Sequence, residues 1–165
     1  MNNRLIKILF GISVGVYMLL VCINNITDYN ANFQFVSNVS GMDDIFSREK
    51  NGWRAIHSLM LQHIFYTFLI AWEIMITIFI ILGVVRMLRR FRDEAPEFMN
   101  AGKSLRTGLC LGIILWFTLF VTVGGEWFLM WQSKTWNGQN TAFMLTICFL
   151  LFLIYQNQPE NNAHE

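Results

Sequence analysis

Four long apolar segments separated by polar ones dominate the chain. An α-helix needs about 20 predominantly apolar residues to cross the hydrocarbon core of a bilayer. On that criterion the pattern predicts membrane spans at about residues 8–25, 57–85, 107–131 and 139–156. We therefore expect an all-α membrane protein, an antiparallel bundle of four transmembrane helices that forms one domain over residues 1–157. The polar segment 158–165 is expected to be a disordered tail.

The two longest polar segments predict some further structure. Residues 24–57 form a partly ordered outer loop in which Phe33, Phe35 and Val36 alternate with polar residues. This alternation fits either a short β-strand or a segment lying at the membrane interface, and the pattern leaves both open. After the second span, Pro96 suits the first turn of a short helix on the membrane surface.

Basic residues are distributed unevenly between the two ends of the predicted bundle. Eight fall on the side of the chain termini, namely Arg4, Lys7, Arg86, Arg89, Arg90, Arg92, Lys103 and Arg106. Four fall on the other side, namely Arg48, Lys50, Arg54 and Lys134. Basic residues concentrate on the cytoplasmic side of membrane proteins. The chain is therefore expected to be a multi-pass protein of the cytoplasmic (inner) membrane with both termini in the cytoplasm.

Composition agrees with a membrane protein and narrows the function classes. Only 14% of residues are charged and 55% are hydrophobic, whereas soluble domains carry about 25% charged residues. The net charge of +1 does not suggest a nucleic-acid partner. Cys22, Cys110 and Cys148 lie in separate apolar segments without CxxC spacing, so we expect neither a disulfide framework nor a metal site. Common catalytic motifs are absent from the sequence, and we expect a non-enzymatic protein without a cofactor.

Glu73 is the only formal charge between Leu59 and Val85, close to the predicted midplane. An ionised carboxylate there costs several kcal/mol unless it faces protein or water. Polar residues of the second span recur at spacings that place them on one helical face, namely Ser58, Gln62, Tyr66, Glu73 and Thr77. On the third span, Thr118, Thr122 and Glu126 recur every four residues. We expect the two stripes to face each other.

The second and third spans are expected to be antiparallel, and both rise by the same distance per residue. Residues at equal depth can therefore be matched, which places Glu73 near Phe120 and Glu126 about one turn from His63. The resulting polar seam comprises Glu73, Glu126, His63, Gln62, Tyr66 and Thr122. Two interpretations remain open. The polar groups satisfy one another inside the bundle, or they form a pathway for protons or ions.

Two other sets of residues are candidates for specific contacts. Arg54, at the outer end of the second span, is positioned to form an ion pair with Asp28, Asp43 or Asp44, or to contact a lipid headgroup. The small residues form pairs one helical turn apart, Gly11 with Gly15 and Gly108 with Gly112. Such pairs allow close helix packing, which we expect inside the protein rather than in a dimer.

Three segments of the sequence resemble those of a known family. They are Asn24-Asn25-Ile26-Thr27-Asp28-Tyr29, Arg54-Ala55-Ile56 running on to Tyr66 and Glu73, and Gly124-Gly125-Glu126-Trp127-Phe128 continuing through Trp131-Gln132-Ser133. With these segments, its length and its four spans, the chain resembles the bacterial predicted small integral membrane proteins grouped as domain of unknown function 2165. The resemblance implies a bacterial cytoplasmic-membrane location, no established activity and no catalytic residues to transfer.

Two functional hypotheses follow. The first is a non-enzymatic accessory, assembly or scaffold subunit of a membrane complex, because the spans are aromatic-rich and carry small-residue faces. Its partners would be the lipid bilayer and another membrane protein or a second copy of this chain. The alternative is a small proton- or ion-coupled transporter or channel that uses Glu73 and Glu126.

Overall fold

The computed structural model describes residues 3–160, which are mainly helical and contain no strand. In chain order the helices are α1 (Asn3–Thr27), α2 (Tyr29–Gly41), α3 (Arg48–Asn51), α4 (Leu59–Arg89), α5 (Ala95–Ala101), α6 (Lys103–Ile113) and α7 (Gln139–Gln156). A π-helix, Ile114–Trp127, continues α6, and short 3₁₀ turns lie at Gly52–Arg54 and Met130–Gln132. Among these described residues, four helices are long and apolar enough to cross a membrane: α1, α4, α6 with its π-helical continuation, and α7. The expected all-α class with four candidate spans is confirmed.

The segment after the first span is helical rather than extended. The backbone N–H of Asp28 still donates to the carbonyl of Asn24 at 2.9 Å, so α1 passes almost directly into α2. Phe33 packs against the core and Val36 is buried. Their spacing of three residues matches one face of a helix. The alternation in this segment therefore reflects α2, and the strand interpretation is wrong.

The third span changes its hydrogen-bonding pattern halfway along. From Ile114 to Trp127 the chain is π-helical, and its last backbone bond runs from the N–H of Phe128 to the carbonyl of Val123, five residues earlier, at 3.0 Å. Leu129 then adopts a left-handed conformation with φ 55°. π-Helical segments are rare and usually only one turn long. Hydrophobicity alone predicts the span but not this change of pitch.

Helix α4 lies at the centre of the fold and packs against both α1 and α6, while α7 packs against α6 and the π-helix. Each glycine that the sequence singles out lies against another helix of the same chain. A Cβ atom built on Gly11 would lie 2.7 Å from Val84 of α4, and one on Gly112 would lie 2.2 Å from the Phe149 ring of α7.

The other two glycines also face α4. Gly15 lies against Ile80, and Gly108 approaches the backbone of Ile76 so closely that its Cβ would lie 3.1 Å from the carbonyl oxygen. Small residues thus allow the helices to approach within this chain. These faces are already occupied and do not provide free docking surfaces.

The two ends of the bundle differ in character. We call the end formed by the start of α1, by α5 and by the end of α7 the basic end, and the end covered by α2 and α3 the capped end. At the basic end Lys7 is fully buried, and its ammonium lies 2.8 Å from the carboxylate of Glu160 and donates to the carbonyl of Gln158. Residues 158–160 therefore pack on α1 and differ from the disordered tail that the composition suggests. The rest of that tail, 161–165, lies outside the described residues.

Candidate functional site

The polar stripe of α4 is a buried face of the helix. Gln62, Tyr66, Glu73 and Thr77 are each at most 5% exposed, whereas Ser58, at the end of the stripe, is exposed. The spacing in the sequence therefore identifies the correct face of α4. This face lies against α1 and α2.

Glu73 forms its hydrogen bond with α1 rather than with the third span. The side-chain amide of Asn25 donates to Oε2 of Glu73 at 2.6 Å. One turn further along α4, the Thr77 hydroxyl donates to the Glu73 carbonyl at 2.8 Å and lies 3.3 Å from the Cys22 sulfur. Asn25 of α1 thus gives the buried carboxylate a hydrogen-bond donor, as a buried acid requires.

The expected pairing of the two polar stripes is wrong. Thr118 and Thr122 are exposed, and the Thr122 hydroxyl donates to the Phe117 carbonyl of its own helix at 3.1 Å. Because α1 remains helical to Thr27, its last turns bring Asn25 onto the stripe of α4. Depth in the membrane pairs the second and third spans, but it does not show that the first helix reaches the same face of α4.

Towards the capped end, the seam continues through aromatic residues of α2. The Tyr66 hydroxyl donates to the Asn25 carbonyl at 3.2 Å. Nδ1 of His63 lies 2.9 Å from the Tyr29 hydroxyl, and the His63 ring stacks on Phe33 with centroids 3.9 Å apart. His63 is therefore held by α2, and the proposed neighbour Glu126 is not its hydrogen-bond partner.

Gln62 ties α2 to the start of α4. Its side-chain carbonyl accepts from the Ser37 hydroxyl at 2.9 Å, and its amide donates to the Ile56 carbonyl at 2.7 Å. Both ends of the amide are therefore satisfied, which is the usual condition for a buried polar group.

Glu126 lies apart from Glu73, in a cleft of about 640 Å³ at the capped end. The cleft brings together three of the predicted seam residues, Gln62, Thr122 and Glu126. Its other walls are mainly apolar, formed by Ser40, Ile56, Leu61, Phe65, Val123, Trp127 and Phe128. The predicted seam is thus divided between this cleft and the interface of α4 with α1 and α2, where Glu73, Tyr66 and His63 lie.

Arg54 binds backbone carbonyls instead of a carboxylate. Its guanidinium donates to the Trp127 carbonyl at 3.1 Å and to the side chain of Asn51. The guanidinium carbon also lies 5.6 Å from the centroids of both the Trp53 and Trp127 rings. Among residues 3–160 no ion pair joins Arg54 to Asp28, because the 3₁₀ turn directs the guanidinium to the end of the third span.

The other two candidate acids have different partners. Asp43 forms an ion pair with Arg48 at 3.0 Å. Asp44 accepts hydrogen bonds from the Ser133 hydroxyl at 2.7 Å and from the Thr135 backbone N–H at 3.2 Å. These bonds to the charged form lower the pKa of Asp44 from its ordinary value. Asp44 therefore fastens the loop before α3 to the turn before α7.

Sequence reasoning missed Asn25, Tyr29 and Ser37 as partners of the seam. A usable signal exists only for Asn25. One face of α1 carries residues that recur at spacings of four and three, namely Gly11, Gly15, Met18, Cys22 and Asn25. The glycines predict that a neighbouring helix packs on this face. Asn25 lies on the same face, so its side chain is expected in the interior of the bundle.

Metal binding requires several ligands that converge on one point. Within residues 3–160, no group of three His, Cys, Asp or Glu side chains converges in that way.

Comparison with known proteins identifies the family. No curated protein and no solved structure matches the chain. Residues 3–159 match the family described as predicted small integral membrane protein, domain of unknown function 2165. This match covers nearly the whole chain, including α4, the cleft at the capped end and the π-helix. It agrees with the four described helices that are apolar enough to cross a membrane. The chain therefore belongs to this family of integral membrane proteins.

Proposed function

We propose that this protein is a non-enzymatic accessory subunit that binds another membrane protein through its capped end. In this proposal the four helices cross the cytoplasmic membrane in alternating directions, with the basic end and both termini in the cytoplasm. The excess of basic residues at that end supports the orientation. Contacts of early α1 residues with late α4 residues, such as Gly11 with Val84, support the alternating directions.

The observation that carries the proposal is a fixed group of exposed aromatic side chains at the capped end. Phe46 and Trp53 are 77% and 74% exposed. Each makes an edge-to-face contact with a residue near the end of the third span, Phe46 with Trp131 at 5.9 Å and Trp53 with Trp127 at 5.8 Å. Aromatic residues held in place before binding lose little conformational entropy on association, so they are typical anchors of protein interfaces.

Hydrogen bonds hold the aromatic surface in position. Ser47 directly follows Phe46 in the chain, and its hydroxyl donates to the side chain of Gln132 at 2.7 Å. The Arg54 guanidinium lies over the Trp53 ring and donates a hydrogen bond to the Trp127 carbonyl. The surface is therefore part of the fold and is available to a partner without rearrangement.

The packing of the bundle interior also favours a structural role. Polar contacts of α4 continue from the capped end to Thr77 and Cys22. Beyond them the α1–α4 contact includes the close apolar contacts of Gly15 with Ile80 and of Gly11 with Val84. A continuous proton path needs polar groups or water along its full length. The seam supplies these over only part of α4.

Site-specific photo-crosslinking in native membranes tests the proposal. A photoreactive residue at position 46 or 53 should give a discrete adduct of higher mass with one membrane protein. The matched control is position 151 on α7, because Leu151 is 59% exposed on an apolar helix and lies in the half of α7 nearer the basic end. Adducts only with lipid at positions 46 and 53, or the same protein adduct from position 151, would refute this assignment of the interface.

Proton- or ion-coupled transport is the second candidate. It is favoured by two groups of polar contacts, His63 with Tyr29 and Tyr66 with Asn25 and Glu73, which the ring contact between Tyr29 and Tyr66 joins. In proteoliposomes, transport through this seam would appear as pH-gradient-driven flux that Glu73→Gln abolishes. Under the accessory proposal, neither the wild type nor Glu73→Gln shows such flux.

A further inference from the structure

A second cleft, of about 700 Å³, opens at the basic end between the last turns of α4, helix α5 and the first turn of α6. Its lining consists of Arg86, Arg89, Arg90, Glu97, Asn100, Ala101 and Lys103. Four of these side chains are basic and one is acidic, so the lining carries a net charge of +3. A concave site with this charge attracts anions.

Helices α4 and α6 are in close contact next to this cleft. Gly83 lies so near α6 that a Cβ built on it would be 2.2 Å from the backbone nitrogen of Leu105. Arg86 follows three residues later, and its guanidinium donates to the Ser104 hydroxyl. The glycine contact thus brings the basic end of α4 against the first turn of α6 and fixes the direction of Arg86.

The α5 wall is also fixed by the fold. Phe98 of α5 is fully buried, and the guanidinium of Arg4 lies 4.9 Å from its ring centroid. Arg106 of α6 donates to the Met99 carbonyl at 2.9 Å. Helix α6 and the start of α1 therefore hold α5 in place beside the cleft.

The charges in the lining are not equivalent. Arg90 lies 2.8 Å from Asp93 and 3.7 Å from Glu97, so its charge is balanced locally. Arg86 bonds a neutral hydroxyl, which does not balance its charge. Within residues 3–160, no ion pair balances Arg86, Arg89 or Lys103, and these three lining cations are therefore left to bind an anion.

The position of the cleft along the helices indicates the kind of anion. Arg89 is the last residue of α4 and Lys103 the first of the third apolar helix, so the cleft lies where the apolar segments end. Leu82, Val85 and Leu88 are exposed on the preceding turns of α4. Arginine binds phosphate oxygens with two hydrogen bonds, and basic pockets between membrane helices bind anionic lipid headgroups. We propose that this cleft binds the headgroup phosphate of an anionic phospholipid, whose acyl chains lie along the exposed apolar surface of α4.

Native mass spectrometry of the full chain, released from detergent micelles and titrated with defined lipids, tests this proposal. The probes are phosphatidylglycerol, phosphatidylcholine as the zwitterionic lipid, and glycerol phosphate as the soluble phosphate. Wild-type protein should bind phosphatidylglycerol at least tenfold more tightly than phosphatidylcholine. R89A/K103A should lose at least tenfold in affinity for phosphatidylglycerol, while R92A, which removes an exposed arginine outside this lining, should change it less than twofold.

Thermal unfolding of each variant shows whether it is folded, and R89Q/K103Q replaces R89A/K103A if the alanine variant is not. Equal binding of the two lipids by the wild type, or equal loss in R92A and in the cleft variant, would overturn the proposal. Displacement of phosphatidylglycerol by an equal concentration of glycerol phosphate would also overturn it, because the site would then recognise soluble phosphate compounds instead of lipid.

Discussion

The side-chain amide of Asn25 lies 2.6 Å from the carboxylate of Glu73 and joins the last turns of α1 to the middle of α4. Glu73 is 3% exposed, so its carboxylate has little access to water. A buried polar group that loses its hydrogen-bond partner costs more free energy than the bond itself contributes. The contact therefore predicts that the effects of substitutions at the two positions depend on each other.

Asn25→Leu should lower the free energy of unfolding by about 1–3 kcal/mol, because it leaves the buried Glu73 carboxylate without this donor. In a Glu73→Leu background the same substitution should cost much less. A double-mutant cycle measured by unfolding in detergent micelles gives the coupling directly. Asn32→Leu is the matched control, because Asn32 is half-buried like Asn25 and donates to the carbonyls of Asn24 and Asp28 in its own chain segment instead of to a carboxylate. Equal costs of Asn25→Leu in both backgrounds would show that the bond does not matter.

Gly83→Ala should destabilise the protein by about 1–3 kcal/mol, the range found when extra atoms are forced into a packed core. The new Cβ would lie 2.2 Å from a backbone nitrogen of α6, which moves only if the helices separate. Gly15→Ala is the control, since its Cβ would meet Ile80 at an ordinary 3.4 Å. Alanine favours a helix over glycine by about 1 kcal/mol, so this variant should be neutral or more stable. Thermal unfolding of both variants shows whether Gly83→Ala is the less stable one, and similar destabilisation of the two would contradict this prediction.

The sequence predicts the four candidate spans because a membrane-spanning helix is recognised by its length and hydrophobic composition alone. The spacing of polar residues also finds the buried face of α4, since Gln62, Tyr66 and Glu73 must share one side of any regular helix. The spacing cannot show which neighbour that face contacts. In this fold the partner lies on α1, because the last turns of that helix pack on this face of α4 and bring Asn25 to Glu73.

Two other features are not predictable from the pattern for a similar reason. The change from α6 to a π-helix at Ile114 alters hydrogen-bond partners without altering hydrophobicity. Residues 158–160 read as a polar tail, yet Glu160 pairs with Lys7, more than 150 residues away in the chain. Local pattern carries no information about a partner at that separation, and only the packing of α1 against the end of α7 brings the two charges together.

Glu160→Gln should destabilise the protein by about 3–5 kcal/mol, the range for breaking one side of a buried ion pair. Lys7 is fully buried, so its ammonium loses its nearby carboxylate without gaining water. The double variant Lys7→Met with Glu160→Gln removes both charges and should cost less than the sum of the two single changes. Unfolding in detergent micelles measures all three variants. Strictly additive costs would show that the two groups act independently.

Protonation of Asp44 should loosen the capped end at low pH. Hydrogen bonds from Ser133 and the Thr135 N–H lower the pKa of Asp44 below its ordinary 3.8 in the folded protein. The resulting stabilisation is present above pH 3.8 and is lost as the pH falls through the lower folded pKa. Hydrogen exchange of the Thr135 amide, which donates to Asp44, should therefore accelerate over that range beyond the intrinsic pH dependence. The control is Asp44→Asn, which keeps an acceptor oxygen that does not titrate. In this variant, exchange of the Thr135 amide should show only the intrinsic pH dependence. The same acceleration at low pH in Asp44→Asn would assign the effect to another group.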